Sequence, residues 1–260
     1  MPTKPPPPEI ILYRGFPTPG IYTWSPFVTK LEARLRFASV TYTTNCGSPR
    51  TAPRGKVPYM RITDPSSRVS TEISDSTLII NSFVEDGVIG DINSGLTPTE
   101  RILDSGVRVL FEEKLYFLQG YEKWITNHYT MRDHILASIP YPVRVVVGYM
   151  IYRKQVATME GQGVGRFSDE ERTAFKRGVW EELNGLLVES RRKSPAEGPF
   201  WVLGGEGPTE ADATVFGFVV GALVCTACPE TQAIVRGWPV VMEYARRIHD
   251  RYFSDYEVWE

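Results

Sequence analysis

Along the first third of the chain the apolar positions alternate between two periods. Residues 9–13 contain the unbroken run Ile10-Ile11-Leu12-Tyr13, which predicts a short buried strand. After a loop holding Pro17, Pro19 and Gly20, the residues Val28, Leu31, Leu35 and Ala38 step by three and four, giving a helix one apolar face. Ser25 is expected as its N-cap, with Pro26 in the first helical position, where a missing N–H costs nothing. Residues 40–43 are β-branched and aromatic and predict a second strand. Residues 59–63 and 69–73 alternate about Asp64-Pro65-Ser66-Ser67, the pattern of a hairpin. A helix starting at Asp75-Ser76 carries Leu78, Ile79, Ile80 and Phe83. The predicted order is strand, helix, strand, strand, strand, helix, with a long loop over residues 44–56 where a second crossover helix could stand.

Beyond a Gly-, Asp- and Ser-rich linker at residues 85–95 the pattern is helical. Thr97 and Glu100 form a capping box with Pro98 between them, opening a long helix marked by Val107, Phe111, Leu115, Leu118 and Ile125. Amphipathic stretches at residues 143–159 and 169–188 come next, the second carrying Phe175, Val179, Leu183 and Leu186. Thr209 and Asp212 cap the most hydrophobic run, residues 213–228, which predicts a helix buried on all sides. Pro239 starts a last helix with Val241, Tyr244 and Ile248. The expected division is a proline-rich tail at residues 1–8, an α/β domain at 9–86 and an all-α domain at 96–260.

Composition narrows the function. The 260 residues are 42% hydrophobic and 23% charged, ample for a sizeable core. Lys and Arg number 29 against 31 Asp and Glu, so the net charge of -2 offers no basic footprint, and no nucleic-acid partner is expected. Three cysteines cannot frame a disulfide scaffold, which points to a reducing, cytoplasmic setting. The run at 213–228 falls short of the roughly 20 residues a bilayer span needs, so no transmembrane segment is expected. No Cys/His cluster forms a metal site, and none is expected. Cys225 and Cys228 have redox spacing, yet they end an apolar helix, where a structural role is expected. The glycines at 161, 163 and 165 come after a helix rather than a strand and are no dinucleotide fingerprint. His128, His134 and His249 are scattered, without a hydrolase arrangement.

Three places carry candidate chemistry, each with a plainer structural reading beside it. Ser25 stands at a helix start, whose free N–H groups and positive dipole end favour an anion such as a thiolate; it could also serve only as a cap. Val57-Pro58 precedes a strand, and a cis bond there would free the Val57 backbone to pair with a peptide-like ligand. Asp75-Ser76 begins another helix, suited to a ligand carboxylate and ammonium or to ordinary capping.

In that order these elements resemble the glutathione transferase superfamily, and within it most closely the failed-axon-connections (Fax) and metaxin-like group. The motifs are SPFVTKLE (residues 25–32), GKVP (55–58), DSTLII (75–80), FEEKLY (111–116), YEKW (121–124), GQGVGR (161–166), PTEADATVFG (208–217) and YARRI (244–248). The resemblance implies a thioredoxin-like domain followed by an all-helical one. It implies glutathione as the bound thiol, with Val57 pairing to its cysteinyl part and Pro58 cis. Asp75 and Ser76 would take the γ-glutamyl end, with Lys56 and Arg54 (or Arg50) near a carboxylate. Ser25 stands where omega-type relatives carry Cys, so it can polarise the glutathione sulfur but form no mixed disulfide. Tyr22 and Trp24 are the fallback for that role, and Tyr116, Tyr121 and Trp124 the expected walls of a pocket for a small hydrophobic substrate. The implied activity is conjugation of the thiol to a hydrophobic electrophile. The alternatives are a glutathione-dependent isomerase or lyase of specialised metabolism, and a non-catalytic metaxin-like interaction module. A homodimer is compatible with each.

Overall fold

Strand β1 (Glu9–Tyr13) is one of two inner strands of the sheet in the amino-terminal half. It pairs in parallel with β2 (Thr43–Asn45) and antiparallel with β3 (Tyr59–Thr63), which pairs with β4 (Ser70–Ser74), giving the order β2-β1-β3-β4. The computed structural model describes residues 8–64 and 67–259. The proline tail therefore lies outside the described residues except for Pro8, as do Pro65 and Ser66 of the hairpin turn.

Helices α1 (Pro26–Phe37) and α2 (Ser76–Glu85) cover one face of the sheet. Leu31, Leu35, Ile79, Ile80 and Phe83 pack there on Ile10, Leu12 and Met60. On the opposite face the Tyr13 and Tyr59 rings stack 4.3 Å apart, joined by Ala52 and Val57 from the connection between β2 and β3. That connection consists of turns, as its prolines and glycines predict.

Two strands differ from expectation. β2 begins at Thr43 rather than spanning residues 40–43, because Val40 and Tyr42 turn their side chains into the core before the chain reaches register with Ile11. β4 is displaced by one residue, its pairing set by Tyr59 opposite Ser74. Local β-propensity marks the neighbourhood of a strand, and pairing chooses its ends.

The remainder is helical. α3 (Pro98–Val109) opens on the Thr97 capping box and runs without a break through a π segment (Leu110–Leu115), α4 (Tyr116–Tyr121) and a second π segment (Glu122–Thr126). Next come α5 (His128–Ile135), α6 (Tyr141–Gln162) and α7 (Asp169–Lys193). α6 departs from the expected amphipathic packing. Val143, Val146, Tyr149 and Met150 lie on the surface, and only Gly148 and Met159 of this helix are buried.

α8 (Glu210–Val224) is buried at every residue from Ala211 to Leu223. The apolar run does not continue as one helix to Cys228. It breaks after Val224 and turns through 117° into α9 (Pro229–Arg236), after which α10 (Pro239–Tyr252) closes the fold. Among the described residues no single helix is long and apolar enough to cross a membrane, although the bent α8–α9 pair together reaches that length and composition.

α1 is held between the sheet and α8, which is why even its charged Lys30, Glu32 and Arg34 are buried. Each has an acquired partner: Glu112 for Lys30 at 2.7 Å, Arg14 for Glu32 at 3.3 Å and Glu210 for Arg34 at 2.6 Å. Gly217 permits the close approach, since a Cβ there would collide with the Pro26 carbonyl and lie 2.8 Å from the Lys30 nitrogen. α8 thereby fixes where the first turn of α1 sits.

Candidate functional site

Three chain segments reach the same end of the sheet with unspent hydrogen-bonding groups. The first is the start of α1. Ser25 is the N-cap with extended backbone, yet its side chain makes no cap bond, and among the described residues its hydroxyl has no partner. Pro26 has no N–H to offer, so Ser25 and the next amides leave a short positive end facing outward.

The second is the entry to β3. The Val57–Pro58 bond is cis, and among the described residues neither the Val57 N–H nor its carbonyl has a hydrogen-bond partner. The third is the start of α2. Asp75 is held at φ 85°, a conformation that costs a residue with a β-carbon about 1–3 kcal/mol. Its Oδ1 accepts from Thr77 N at 3.1 Å and Leu78 N at 3.3 Å, while Oδ2 lies 3.7 Å from Lys56 Nζ. The Ser76 N–H and hydroxyl remain unpaired among the described residues.

These groups line one cleft of about 850 Å³, closed on its far side by α3, the π segment and α4. Ser25, Lys56, Val57, Pro58, Asp75 and Ser76 all border it, together with Phe27, Thr77 and Leu78. The opposing wall is Ser105, Arg108, Val109, Glu112, Glu113, Tyr116 and Phe117. Arg108 is drawn to Asp104 at 2.9 Å. Glu112 Oε1 accepts from Lys30 Nζ and Thr214 Oγ1, both at 2.7 Å, and Lys30 Nζ also donates to Thr77 Oγ1 at 2.9 Å. One buried lysine thus ties α1, α2 and the opposing wall together beneath the cleft.

Of the expected pocket walls only Tyr116 is there; its ring lies edge-on to Phe27 at 5.1 Å, and burial raises its hydroxyl pKa. Tyr121, turned about 140° from Tyr116 by five helical residues, lies under the Arg172 guanidinium at 3.6 Å instead. Trp124 is packed with Trp24 and Met131. Trp24 itself stacks on His134 at 3.5 Å, outside the cleft. Tyr22 is buried against α10 with its hydroxyl 2.8 Å from His249 Nδ1, and burial pushes its pKa far up, the wrong direction for a group that activates a thiol. Arg54 is exposed on the β2–β3 connection and does not line the cleft, and Arg50 is exposed likewise.

The charged wall went unread in the sequence. Its signal was present: Ser105, Arg108, Val109, Glu112 and Tyr116 step by three and four beside the apolar stripe of Phe111, Leu115 and Leu118. A polar stripe bordering a core stripe marks the edge of a groove as readily as it marks solvent.

A model of the glutathione S-transferase N-terminal domain family matches residues 26–131. Among solved structures the chain is similar to a glutathione S-transferase from Rhodospirillum rubrum F11, at 14% identity over 94% of this chain and 89% of that one, with a TM-score of 0.56. It is similar to FzlA from C. crescentus at 13% identity, covering 94% of this chain and 89% of that one, with a TM-score of 0.59. A third is a glutathione transferase family member from Pseudomonas fluorescens pf-5 with two glutathione bound, at 13% identity, 94% and 90% coverage and a TM-score of 0.55. This is the glutathione S-transferase fold. Its thioredoxin-like half is the four-stranded sheet with α1 and α2, its helical half begins at α3, and the cleft lies where the two meet.

Proposed function

We propose that this cleft binds glutathione and activates its thiol for attack on a small hydrophobic electrophile. The observation that carries the reading is the convergence of unpaired groups: the Ser25 hydroxyl, the Val57 backbone, and the Ser76 N–H and hydroxyl. Unsatisfied backbone and hydroxyl groups are rarely left idle, and together they match one peptide-like anion. On this reading the γ-glutamyl carboxylate meets Ser76 at the dipole of α2, and its ammonium meets Asp75 and Glu112. Val57 pairs with the cysteinyl backbone as an added strand would. Lys56, loosely held by Asp75, is free to turn to the glycyl carboxylate.

The sulfur then lies at the start of α1. Its proton departs to solvent, and the thiolate is stabilised by the Ser25 hydroxyl and the helix dipole, together worth about 1–2 kcal/mol or one pKa unit. A carbon–sulfur bond forms as the electrophile's leaving group departs. Val109, Tyr116 and Phe117 supply the apolar side on which such an electrophile can rest. The likeness to the Fax and metaxin-like group rests on the order of the sequence motifs.

Calorimetric titration with glutathione tests binding directly, and absence of binding at about millimolar ligand overturns the reading. For the chemistry, Ser25→Ala is expected to lower turnover of an aryl halide about tenfold, one pKa unit of thiol activation, with glutathione affinity nearly unchanged. Unchanged turnover removes Ser25 from the mechanism.

A further inference from the structure

The turn between α8 and α9 places two thiols and a buried cation together, away from the cleft. Cys225 ends α8 and Cys228 is the N-cap of α9, ahead of Pro229. Cys228 N donates to Cys225 O at 3.0 Å, the closure of a reverse turn, which keeps the two Cα atoms within the roughly 7 Å that a disulfide can span. Both side chains are fully buried, and the Cys228 thiol donates to the Gln119 carbonyl at 3.7 Å.

The cation is Lys123. It is buried, and among the described residues its ammonium has one hydrogen bond, 3.4 Å to the Trp24 carbonyl. Burial works to neutralise it, but the sulfurs of Cys228 and Cys225, with Tyr116 and Glu122, prevail and hold its pKa above the usual lysine value. The two thiols are driven apart in turn. The neighbouring Cys228 thiol, aided by Lys123, brings Cys225 down to about 7 against burial. Burial, with the Cys225 sulfur beside it, pushes Cys228 well up. Buried Glu122 also faces both thiols and raises them, opposing the lysine, while Trp24, Trp124, Met131 and Ile135 packed here carry no charge.

We propose that Cys225 and Cys228 are a dithiol–disulfide site oxidised by a small peroxide, with Cys225 the attacking sulfur, Cys228 the resolving one and Lys123 the positioning cation. The Cys225 thiolate attacks one peroxide oxygen, the O–O bond breaks, and the leaving hydroxide takes up a proton to become water. Cys228 then gives up its proton, its sulfur attacks the Cys225 sulfenic acid, the S–O bond breaks and a second water leaves. Two thiols and one hydrogen peroxide give one disulfide and two waters. With neither sulfur exposed, the oxidant must be close to the size of water, and glutathione disulfide is too large. The site is independent of what the cleft binds.

The full chain carrying Cys46→Ser retains only these two thiols. After treatment with hydrogen peroxide, mass spectrometry without reductant should show both thiols lost together, a mass lower by two hydrogens and a Cys225–Cys228 cross-link that dithiothreitol reverses. Glutathione disulfide at the same concentration should leave both thiols free. Lys123→Met should slow the oxidation at neutral pH about tenfold and move its pH midpoint upward, with Lys123→Arg restoring most of the rate. Oxygen added to one cysteine while the other stays free, or no thiol loss at all, overturns the proposal. Oxidation by glutathione disulfide at the peroxide rate overturns the size argument, and an unchanged rate in Lys123→Met overturns the role of the lysine. The cross-link in Cys46→Ser stands as a test even if the lysine variants do not fold.

Discussion

At Ser168 the cap hydroxyl accepts from Glu171 N at 3.2 Å, while the Glu171 carboxylate reaches back to Ser168 N at 2.8 Å. Thr97 and Glu100 repeat the arrangement at 3.3 and 2.8 Å. Ser25 has the same chemistry at the start of α1 and makes neither bond. The difference lies three residues further along the chain. Glutamate occupies the third helical position in the first two helices, and Val28, pressed into the core, occupies it after Ser25. A cap closed by its own helix stabilises that helix; a cap left open keeps a donor for something else. α2 is intermediate, because Asp75 closes part of its helix start and leaves the Ser76 amide free.

Substitutions can break this contrast. The largest effect is expected at the most completely closed helix start, that of α8, where Asp212 accepts from Val202 N at 2.7 Å, Thr209 N at 2.8 Å and Tyr244 Oη at 2.9 Å. Asp212→Ala leaves these buried donors unsatisfied and should cost about 3 kcal/mol or more in urea denaturation. Gly217→Val, which forces α8 off the start of α1, should cost roughly 1–3 kcal/mol and also weaken glutathione binding, since it displaces the open cap. Ser168→Ala should cost about 1 kcal/mol. Ser25→Ala should change stability by no more than about 0.5 kcal/mol, because no cap bond is lost. A Ser25→Ala loss equal to that of Ser168→Ala would remove the distinction between closed and open caps.

Asp212 also gives the contrast a pH dependence. Burial pushes its carboxyl up to about 6, with the hydrogen bonds from Val202, Thr209 and Tyr244 opposing. Because the folded pKa exceeds the unfolded one, the folded state binds the proton more tightly. The resulting stability is complete below the ordinary carboxylate range and is lost as pH rises through about 6. The stability margin of the unsubstituted chain over Asp212→Asn should therefore shrink between about pH 4 and 7, as tracked by thermal melts; a margin that grows would place this carboxyl below its ordinary value.

Much of the fold was legible because its signals are local. β1, β3, the Thr97 capping box and the Ser25-Pro26 helix start all fall where a few neighbouring residues predict them. The cleft was legible on one side only. Ser25, Val57 and Asp75-Ser76 were readable as helix starts and a strand entry, whereas Arg108, Glu112 and Glu113 were hidden on a polar stripe that looks like a solvated face. Tyr22 lies three residues from Ser25 yet faces α10, because nearness along the chain does not decide which side a residue turns to.

By itself the sequence determined the order of the strands and of the longer helices, and most of their starts, since periodicity, caps and prolines act within a few residues. Tertiary structure decided the rest. It set the register of β2 against β1, the exposure of the α6 valines, the break that makes Cys228 a helix start, and the meeting of Ser25 with Glu112. Each of these depends on which surfaces approach one another across the fold, and the close contact of Gly217 with α1 controls that approach at a distance no local pattern can encode.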